Sequence, residues 1–92
     1  MIDLLKKPVL FEDVIYSSDD DIHYLYHQSE KKVLLLENAV AVEIVKLCDG
    51  KNSIEDITLC IENEFSDSSR DVIEADLIEM LLFLESENLI NF

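Results

Sequence analysis

The segment "LCDGKNSIEDI", residues 47–57, decides the fold, because it predicts two helices joined by a tight turn. Gly50 is the only glycine in the chain, and it can take the left-handed backbone conformation that closes a preceding helix. Ser53 is a favourable N-cap, and with Asp56 three residues later it resembles a capping box in which Asp replaces the usual Glu. The segment therefore has the pattern of a helix-turn-helix, a unit that many proteins insert into the major groove of DNA.

The charge of the chain excludes DNA binding by this helix-turn-helix. The 92 residues include 21 Asp and Glu against 7 Lys and Arg, a net charge of −14 at pH 7. Neither the second predicted helix, residues 54–65, nor the third, roughly residues 71–87, contains a Lys or Arg. Because basic side chains supply most non-specific affinity for phosphates, we expect no nucleic-acid binding. The strongly negative charge of the chain also repels anionic membranes and favours a basic or neutral partner.

Length and composition indicate one small globular domain, residues 1–92. Hydrophobic residues make up 49 % of the chain, enough for one packed core. The N-terminus "MIDLLKKPVLF" is too short and too broken for a signal peptide, and no apolar run could span a membrane. The expected location is the cytoplasm. Cys48 and Cys60 each fall on the apolar side of a predicted helix, so we expect two reduced core thiols rather than a disulfide or metal site.

The order of predicted elements defines the fold class as α+β. Residues rich in β-branched and aromatic side chains predict three antiparallel strands at 8–16, 21–28 and 31–36, with the polar turn "SSDDD" at 17–21 between the first two. Helical spacing then predicts three helices: the first begins after the N-cap Asn38 and ends near Gly50, and "SDSS" at 66–69 separates the other two. Asn88 is a suitable left-handed terminator for the third.

Two stretches carry more apolar residues than a small core requires. Residues 33–36 are apolar at four consecutive positions, which indicates that both faces of the third strand meet apolar material. On the third helix, Ile78, Leu82 and Phe83 lie off the stripe that faces the core. A crowded core, a dimer contact and single exposed residues all fit this surplus, and so does an apolar groove for a partner.

Catalytic and metal-binding patterns are weak. His23 and His27 would share a face of a strand about 13 Å apart, too far to chelate one ion. One glycine allows no phosphate-binding loop, and no Ser or Cys is paired with a His in a recognisable motif. The carboxylates are spread along helix faces as solvated surfaces require, although paired-carboxylate catalysis stays open. We therefore expect no metal and no cofactor.

Two segments resemble the PqqD-like family. "ENAVAVEIVKLCDGKNSIEDI" (37–57) resembles the family pattern "LNETAAEILELCDGxRTVEEI", and "ADLIEMLLFLESENLI" (75–90) resembles the ending "xDVxxFLxxLxxxGLI". Glu37 stands where the family usually has Leu, and Asn88 stands where it usually has Gly, although Asn tolerates the same backbone conformation. The residues that carry the resemblance are Asn38, Asp49, Gly50, Ser53, Ile57, Asp76, Leu81, Leu84, Leu89 and Ile90.

The resemblance implies a function as well as a fold. PqqD-like proteins are stand-alone recognition elements (RRE) for ribosomally made, post-translationally modified peptides (RiPPs). They are winged helix-turn-helix domains without catalysis, which bind the leader segment of a precursor peptide and present the peptide to a modifying enzyme such as a radical SAM enzyme, a cyclase or a leader peptidase. In the family, the leader adds as a strand to the third strand and lies in a groove between that strand and the third helix. Such a leader would contact both the apolar run at 33–36 and the apolar residues of the third helix that lie off its core stripe.

Mapped onto this chain, the resemblance implies a peptide-binding edge at Lys32, Val33, Leu34, Leu35 and Leu36. Ile78 and Leu82 are the first choices for the groove wall, with Glu74 and Glu85 on the same flank as partners for leader Lys or Arg. If the groove lies on the other flank, Asp76, Glu79 and Phe83 replace them.

Two other classes of protein stay open from the sequence. One is an acidic winged-helix protein-interaction or dimerisation module that does not bind a leader peptide. The other is an enzyme that uses carboxylates, whose activity a single Asp or Glu substitution would remove.

Overall fold

In a computed structural model, which describes residues 3–65 and 69–92, short strands precede and follow three helices. The two outermost strands, β1 and β5, pair with each other, and the remaining three form a separate sheet. The elements in chain order are β1 (Val9–Leu10), β2 (Val14–Asp19), β3 (Ile22–His27), β4 (Lys32–Leu36), α1 (Ala39–Leu47), α2 (Ile54–Glu64), α3 (Arg70–Ser86) and β5 (Ile90–Asn91).

The main sheet is the antiparallel meander that the sequence predicts, in the order β2-β3-β4. Asp19 pairs with Ile22 and His27 with Lys32, so both connections are tight. Asp20 (φ 55) and Lys31 (φ 53) take left-handed conformations in these turns. The expected α+β class, with a three-stranded antiparallel sheet followed by three helices, is thereby confirmed.

The predicted first strand, 8–16, is wrong in its bounds. The chain turns between β1 and β2, where the Val14 N–H donates to the Phe11 carbonyl at 3.0 Å, and β2 continues through the first three residues of the predicted "SSDDD" turn. β1 instead pairs with β5 in a small antiparallel sheet that joins the two ends of the described chain. This second sheet was not predicted.

The helices begin where the sequence predicts. The Asn38 side chain accepts the Ala41 N–H at 2.8 Å at the start of α1. At the start of α2, the reciprocal Ser53 and Asp56 capping box is present with both bonds at 3.1 Å. Ser69 caps α3, while residues 66–68 of the predicted "SDSS" break, like Met1 and Ile2 of the N-terminal segment, lie outside the described residues.

The turn at Gly50 differs from a simple helix cap. Gly50 is left-handed as expected (φ 77), but α1 ends at Leu47 with Cys48 as its C-cap. The Gly50 N–H donates to the Pro8 carbonyl at 3.0 Å. The turn therefore ties the N-terminal segment to the helix-turn-helix.

One core lies between the main sheet and the helices. Its buried side chains come from the inner face of the sheet, from one face of each helix and from the C-terminal segment: Val14, Leu25, Leu36, Val42, Ile44, Val45, Cys48, Ile54, Ile57, Ile61, Ile73, Leu77, Leu81, Leu84, Leu89 and Ile90.

The prediction of two core thiols is half wrong, because Cys48 is buried and Cys60 is exposed. The polar Thr58 is buried on α2 instead, and its hydroxyl donates to the Ile54 carbonyl at 2.9 Å. Among the helices of residues 3–65 and 69–92, none is long and apolar enough to cross a membrane.

Candidate peptide-binding edge and groove

β4 is an edge strand with one free side. It pairs with β3 on one side, and no strand in the described part of the chain pairs with the other. Leu34 and Leu36 point to the core, whereas Val33 and Leu35 point away from it and are 57 % and 56 % exposed. The apolar run at 33–36 thus meets the core on one face only. Its other face is open to a partner.

The C-terminal half of α3 runs beside β4 in the opposite direction. Lys32, at the start of β4, lies 3.8 Å from the Glu87 carboxylate just after α3, and the Asn88 amide donates to Glu30 at 3.4 Å. At the other end, Asp76 of α3 lines a small cavity with Val40, which follows β4 at the start of α1. These contacts place the C-terminal half of α3 alongside β4, and we call the space between the two elements the α3–β4 groove.

One flank of α3 faces this groove. Asp76, Glu79, Met80 and Phe83 line a shallow depression on it, and at about 100° per residue they fall on the same side of the helix as Glu87. Met80 is half-buried and Phe83 is 48 % exposed. The groove wall is therefore apolar at its centre and acidic along its length.

The four residues predicted as the first choice lie on the opposite flank. Glu74 and Ile78 are half-buried, while Leu82 and Glu85 are exposed. Leu82 is 47 % exposed, almost the same as Phe83, so exposure does not separate the two flanks and only the position of β4 does. The role of these four residues in peptide binding stays a prediction. The alternative set that the sequence left open, Asp76, Glu79 and Phe83, lies on the flank beside β4.

A cluster of polar and charged side chains lies where the beginning of β4 meets the end of α3. The Lys32 ammonium lies 3.0 Å from Glu30, and His27 Nε2 lies 3.4 Å from the same carboxylate. The hydrogen bond from Lys32 is the main reason why the pKa of Glu30 lies below its ordinary value. Lys32 is engaged with these carboxylates, so the acidic flank of the groove stays available to a basic ligand.

The outward face of the main sheet is an apolar surface that the sequence analysis did not predict. Its apolar members are Ile15 of β2, Ile22, Tyr24 and Tyr26 of β3, and Val33 and Leu35 of β4; we call this the outer face. The alternation in "IHYLYH" (22–27) was the available signal, since every second residue of a strand lies on one face.

No group of three or more His, Cys, Asp and Glu in residues 3–65 and 69–92 is placed to hold a metal ion. Burial, reinforced by the Asp49 charge, raises the pKa of the Cys48 thiol to about 12. Since the nucleophile is the thiolate, Cys48 is chemically inert at neutral pH.

The helix-turn-helix, the three-stranded sheet and the free edge beside α3 together define a small α+β domain of the winged helix-turn-helix class. The chain belongs to the PqqD family: residues 24–90 match the family described as Coenzyme PQQ synthesis protein D (PqqD). The resemblance seen in the sequence is thereby confirmed.

Two solved structures share the fold. The structure described as TbiB1 in complex with the TbiA(beta) leader peptide is 25 % identical to this chain with a TM-score of 0.80, over 90 % of this chain and 94 % of that one. A lasso peptide synthetase B1 complexed with the leader peptide is 17 % identical with a TM-score of 0.78, over 94 % of this chain and 99 % of that one. No curated protein matches the sequence.

Proposed function

We propose that this protein binds the leader segment of a ribosomally synthesised precursor peptide as a fourth strand along β4, and that it presents the precursor to a modifying enzyme without itself catalysing a reaction. The observation that carries the proposal is the free, apolar edge of β4 beside the α3–β4 groove. The membership of the PqqD family and the likeness to TbiB1, whose structure contains a leader peptide, support the same function.

The backbone of β4 would supply the first set of contacts. In an antiparallel ladder, alternate residues direct their N–H and C=O groups to one neighbour and the remaining residues to the other. Half of the hydrogen-bonding groups of Lys32–Leu36 are therefore directed to the free side. A leader in extended conformation pairs with them whatever its side chains are, so this step gives affinity but little specificity.

The α3–β4 groove would supply specificity. Every second side chain of the added strand points inward, toward Met80 and Phe83. Apolar leader side chains would cover the exposed part of Phe83, and leader Lys or Arg would pair with Asp76 and Glu79 on the same flank. We thus place the groove on the flank of α3 that faces β4.

The proposed partners follow from this role. The ligand is the leader of a precursor peptide, and the second partner is a RiPP-modifying enzyme, for which a radical SAM enzyme, a cyclase and a leader peptidase are the candidates. Because the precursor is made by ribosomes, the proposed compartment is the cytoplasm.

Isothermal titration calorimetry with the precursor peptide encoded in an adjacent reading frame tests the proposal. We expect a 1:1 complex with a Kd of about 1 µM or tighter, which corresponds to about −8 kcal/mol. The affinity should fall as salt is added, since the groove is acidic. A chain that releases no heat with the precursor and instead forms a stable homodimer would be a dimerisation module, and the proposal would be refuted.

A further inference from the structure

The inward-facing side chains of β4 and the groove-facing side chains of α3 repeat at nearly the same spacing. Two residues of a strand advance by about 6.6 Å, and four residues of a helix advance by about 6.0 Å. The Lys32 ammonium lies 3.8 Å from the Glu87 carboxylate, and this contact fixes the first match between the two series. The two series, in matching order, are Lys32, Leu34 and Leu36 on β4 and Glu87, Phe83 and Glu79 on α3.

This common spacing divides the α3–β4 groove into three rows. We call them the polar row (Lys32 and Glu87), the apolar row (Leu34 and Phe83) and the acidic row (Leu36 and Glu79). Asp76 lies on the same flank of α3 as Glu79 and adds a second carboxylate beside the acidic row. A leader strand that adds to β4 also has inward side chains at every second residue. Three leader residues, each two positions from the next, would therefore face one row each.

The two outer rows differ in which of their charges are already paired. In the polar row, the Lys32 ammonium lies 3.0 Å from the Glu30 carboxylate and 3.8 Å from that of Glu87. A leader Lys or Arg in this row would lie across the strand pair from the Lys32 ammonium, and like charges in that position are destabilising. In the acidic row, neither Glu79 nor Asp76 belongs to an ion pair within the described part of the chain. The acidic row therefore favours a leader cation, and the polar row disfavours one.

The direction of the added strand converts the order of the rows into an order of leader residues. β4 is antiparallel to β3, and antiparallel pairs are slightly more stable per residue than parallel ones. A leader that is antiparallel to β4 runs from the acidic row, past the apolar row, to the polar row. The basic residue of such a leader precedes its apolar residue.

We infer that the α3–β4 groove selects leaders that carry a basic residue two positions before an apolar residue and a non-basic residue two positions after it. The inference rests on the proposed function and deepens it, because it states which leader sequences the groove takes. Glu79 and Lys32 are the specificity-determining residues. Glu79 attracts the basic side chain to one end of the groove, and Lys32 excludes it from the other.

Two peptides of identical composition test this order. The starting peptide is the leader of the precursor that is encoded in an adjacent reading frame. Its anchor is the apolar residue whose replacement by alanine weakens binding most. In the first synthetic peptide, Lys stands two residues before the anchor and Ser two residues after it; in the second peptide, Lys and Ser are exchanged. Calorimetric titration into the full chain gives the Kd of each.

We expect the wild-type chain to bind the first peptide about tenfold more tightly than the second, because the ion pair in the acidic row and the like-charge contact in the polar row each change the Kd by about threefold. Glu79→Gln should weaken the first peptide by about threefold. Lys32→Met should strengthen the second by a similar factor, since Glu87 can then pair with the peptide Lys. The control Glu62→Gln removes a carboxylate of α2 and should change neither Kd. Circular dichroism verifies that each variant is folded.

Three results would overturn the inference. Equal affinity of the wild-type chain for the two peptides, or tighter binding of the second, would refute the order of residues while leader binding itself stands. A preference for the first peptide that neither Glu79→Gln nor Lys32→Met reduces would refute the roles of these two residues. A precursor leader that does not bind the wild-type chain would overturn the proposed function together with the inference.

Discussion

Replacing Phe83 with alanine should weaken leader binding, because this side chain is the main apolar surface that the α3–β4 groove offers. Phe83 is 48 % exposed, and an aromatic side chain presents about 200 Å², so about 100 Å² is free for a leader to cover. At about 25 cal/mol per Å², full coverage contributes about 2.5 kcal/mol, which corresponds to about a 60-fold change in Kd. A leader that covers half of the ring would give about an eightfold change on the same scale.

Leu82→Ala is a matched control for this substitution. Leu82 is the neighbouring residue on α3, is 47 % exposed and lies about 100° around the helix from Phe83, away from the groove. Both changes introduce the same strong helix former at exposed positions, so effects of helix propensity are similar in the two variants. Calorimetric titration of both variants with the same leader peptide should show a large loss for Phe83→Ala and less than about a twofold change for Leu82→Ala.

The reverse result would refute the placement of the groove. If Leu82→Ala weakens binding and Phe83→Ala does not, the leader lies on the flank of Ile78 and Leu82 that the sequence favoured, and the contacts between α3 and β4 do not predict its path. Unfolding of either variant in urea, compared with the wild-type chain, separates a loss of binding from a loss of fold.

The remaining predictions concern the scaffold. A thiol reagent at neutral pH should modify Cys60 rapidly and Cys48 only after denaturation, because Cys60 is exposed and burial raises the pKa of Cys48 to about 12; two fast-reacting thiols in the native protein would contradict the structure. The pKa of Asp49 lies below its ordinary value, chiefly because the Lys51 N–H donates to the carboxylate. Its contribution to stability is therefore full above the ordinary Asp range, about pH 4, and is lost as pH falls through the lowered pKa. Asp49→Ala should lower the urea midpoint at pH 7 and reduce the further loss on acidification, and an unchanged midpoint at pH 7 would count against this stabilising role of the Asp49 carboxylate. Gly50→Ala should destabilise the fold by about 1 to 2 kcal/mol in urea unfolding, because Gly50 has φ 77 and an L-residue is strained there; a stability equal to wild type would show that the turn relaxes.

The helical half of the fold was predictable because its signals are local. Asn38 caps α1, Ser53 and Asp56 form the capping box of α2, and Asn88 takes the left-handed conformation (φ 60) expected after α3. Each signal depends on residues within one helical turn, so a single sequence contains all that is needed to recognise it.

The small sheet formed by β1 and β5 was not predictable in the same way. Each strand has two residues, and the pairing of Leu10 with Ile90 joins opposite ends of the chain. Strands this short have no alternation to recognise, and their pairing depends on tertiary placement rather than on local propensity. The predicted strand 8–16 failed for the same reason, since the break before Val14 is set by the contacts of the N-terminal segment.

The two elements of the proposed site, β4 and α3, were predictable from the sequence, but which flank of α3 faces β4 was not. The apolar run at 33–36 identified β4, and the apolar surplus of α3 identified the helix beside it. Which flank of α3 faces β4 depends on contacts such as that between Lys32 and Glu87, which link residues far apart in the sequence. Helical periodicity assigns residues to faces, yet it does not state what lies opposite each face.

The most direct test of strand addition is a titration of the ¹⁵N-labelled protein with unlabelled leader peptide, followed by NMR through the backbone amides. The main sheet has two edges, β2 and β4, and only one of them lies on the α3–β4 groove. We predict that the largest shifts and the greatest gain in protection from hydrogen exchange occur at Lys32–Leu36, because the amides on the free side of β4 gain partners. Changes centred on Val14–Asp19, or no change at either edge, would contradict leader binding along β4.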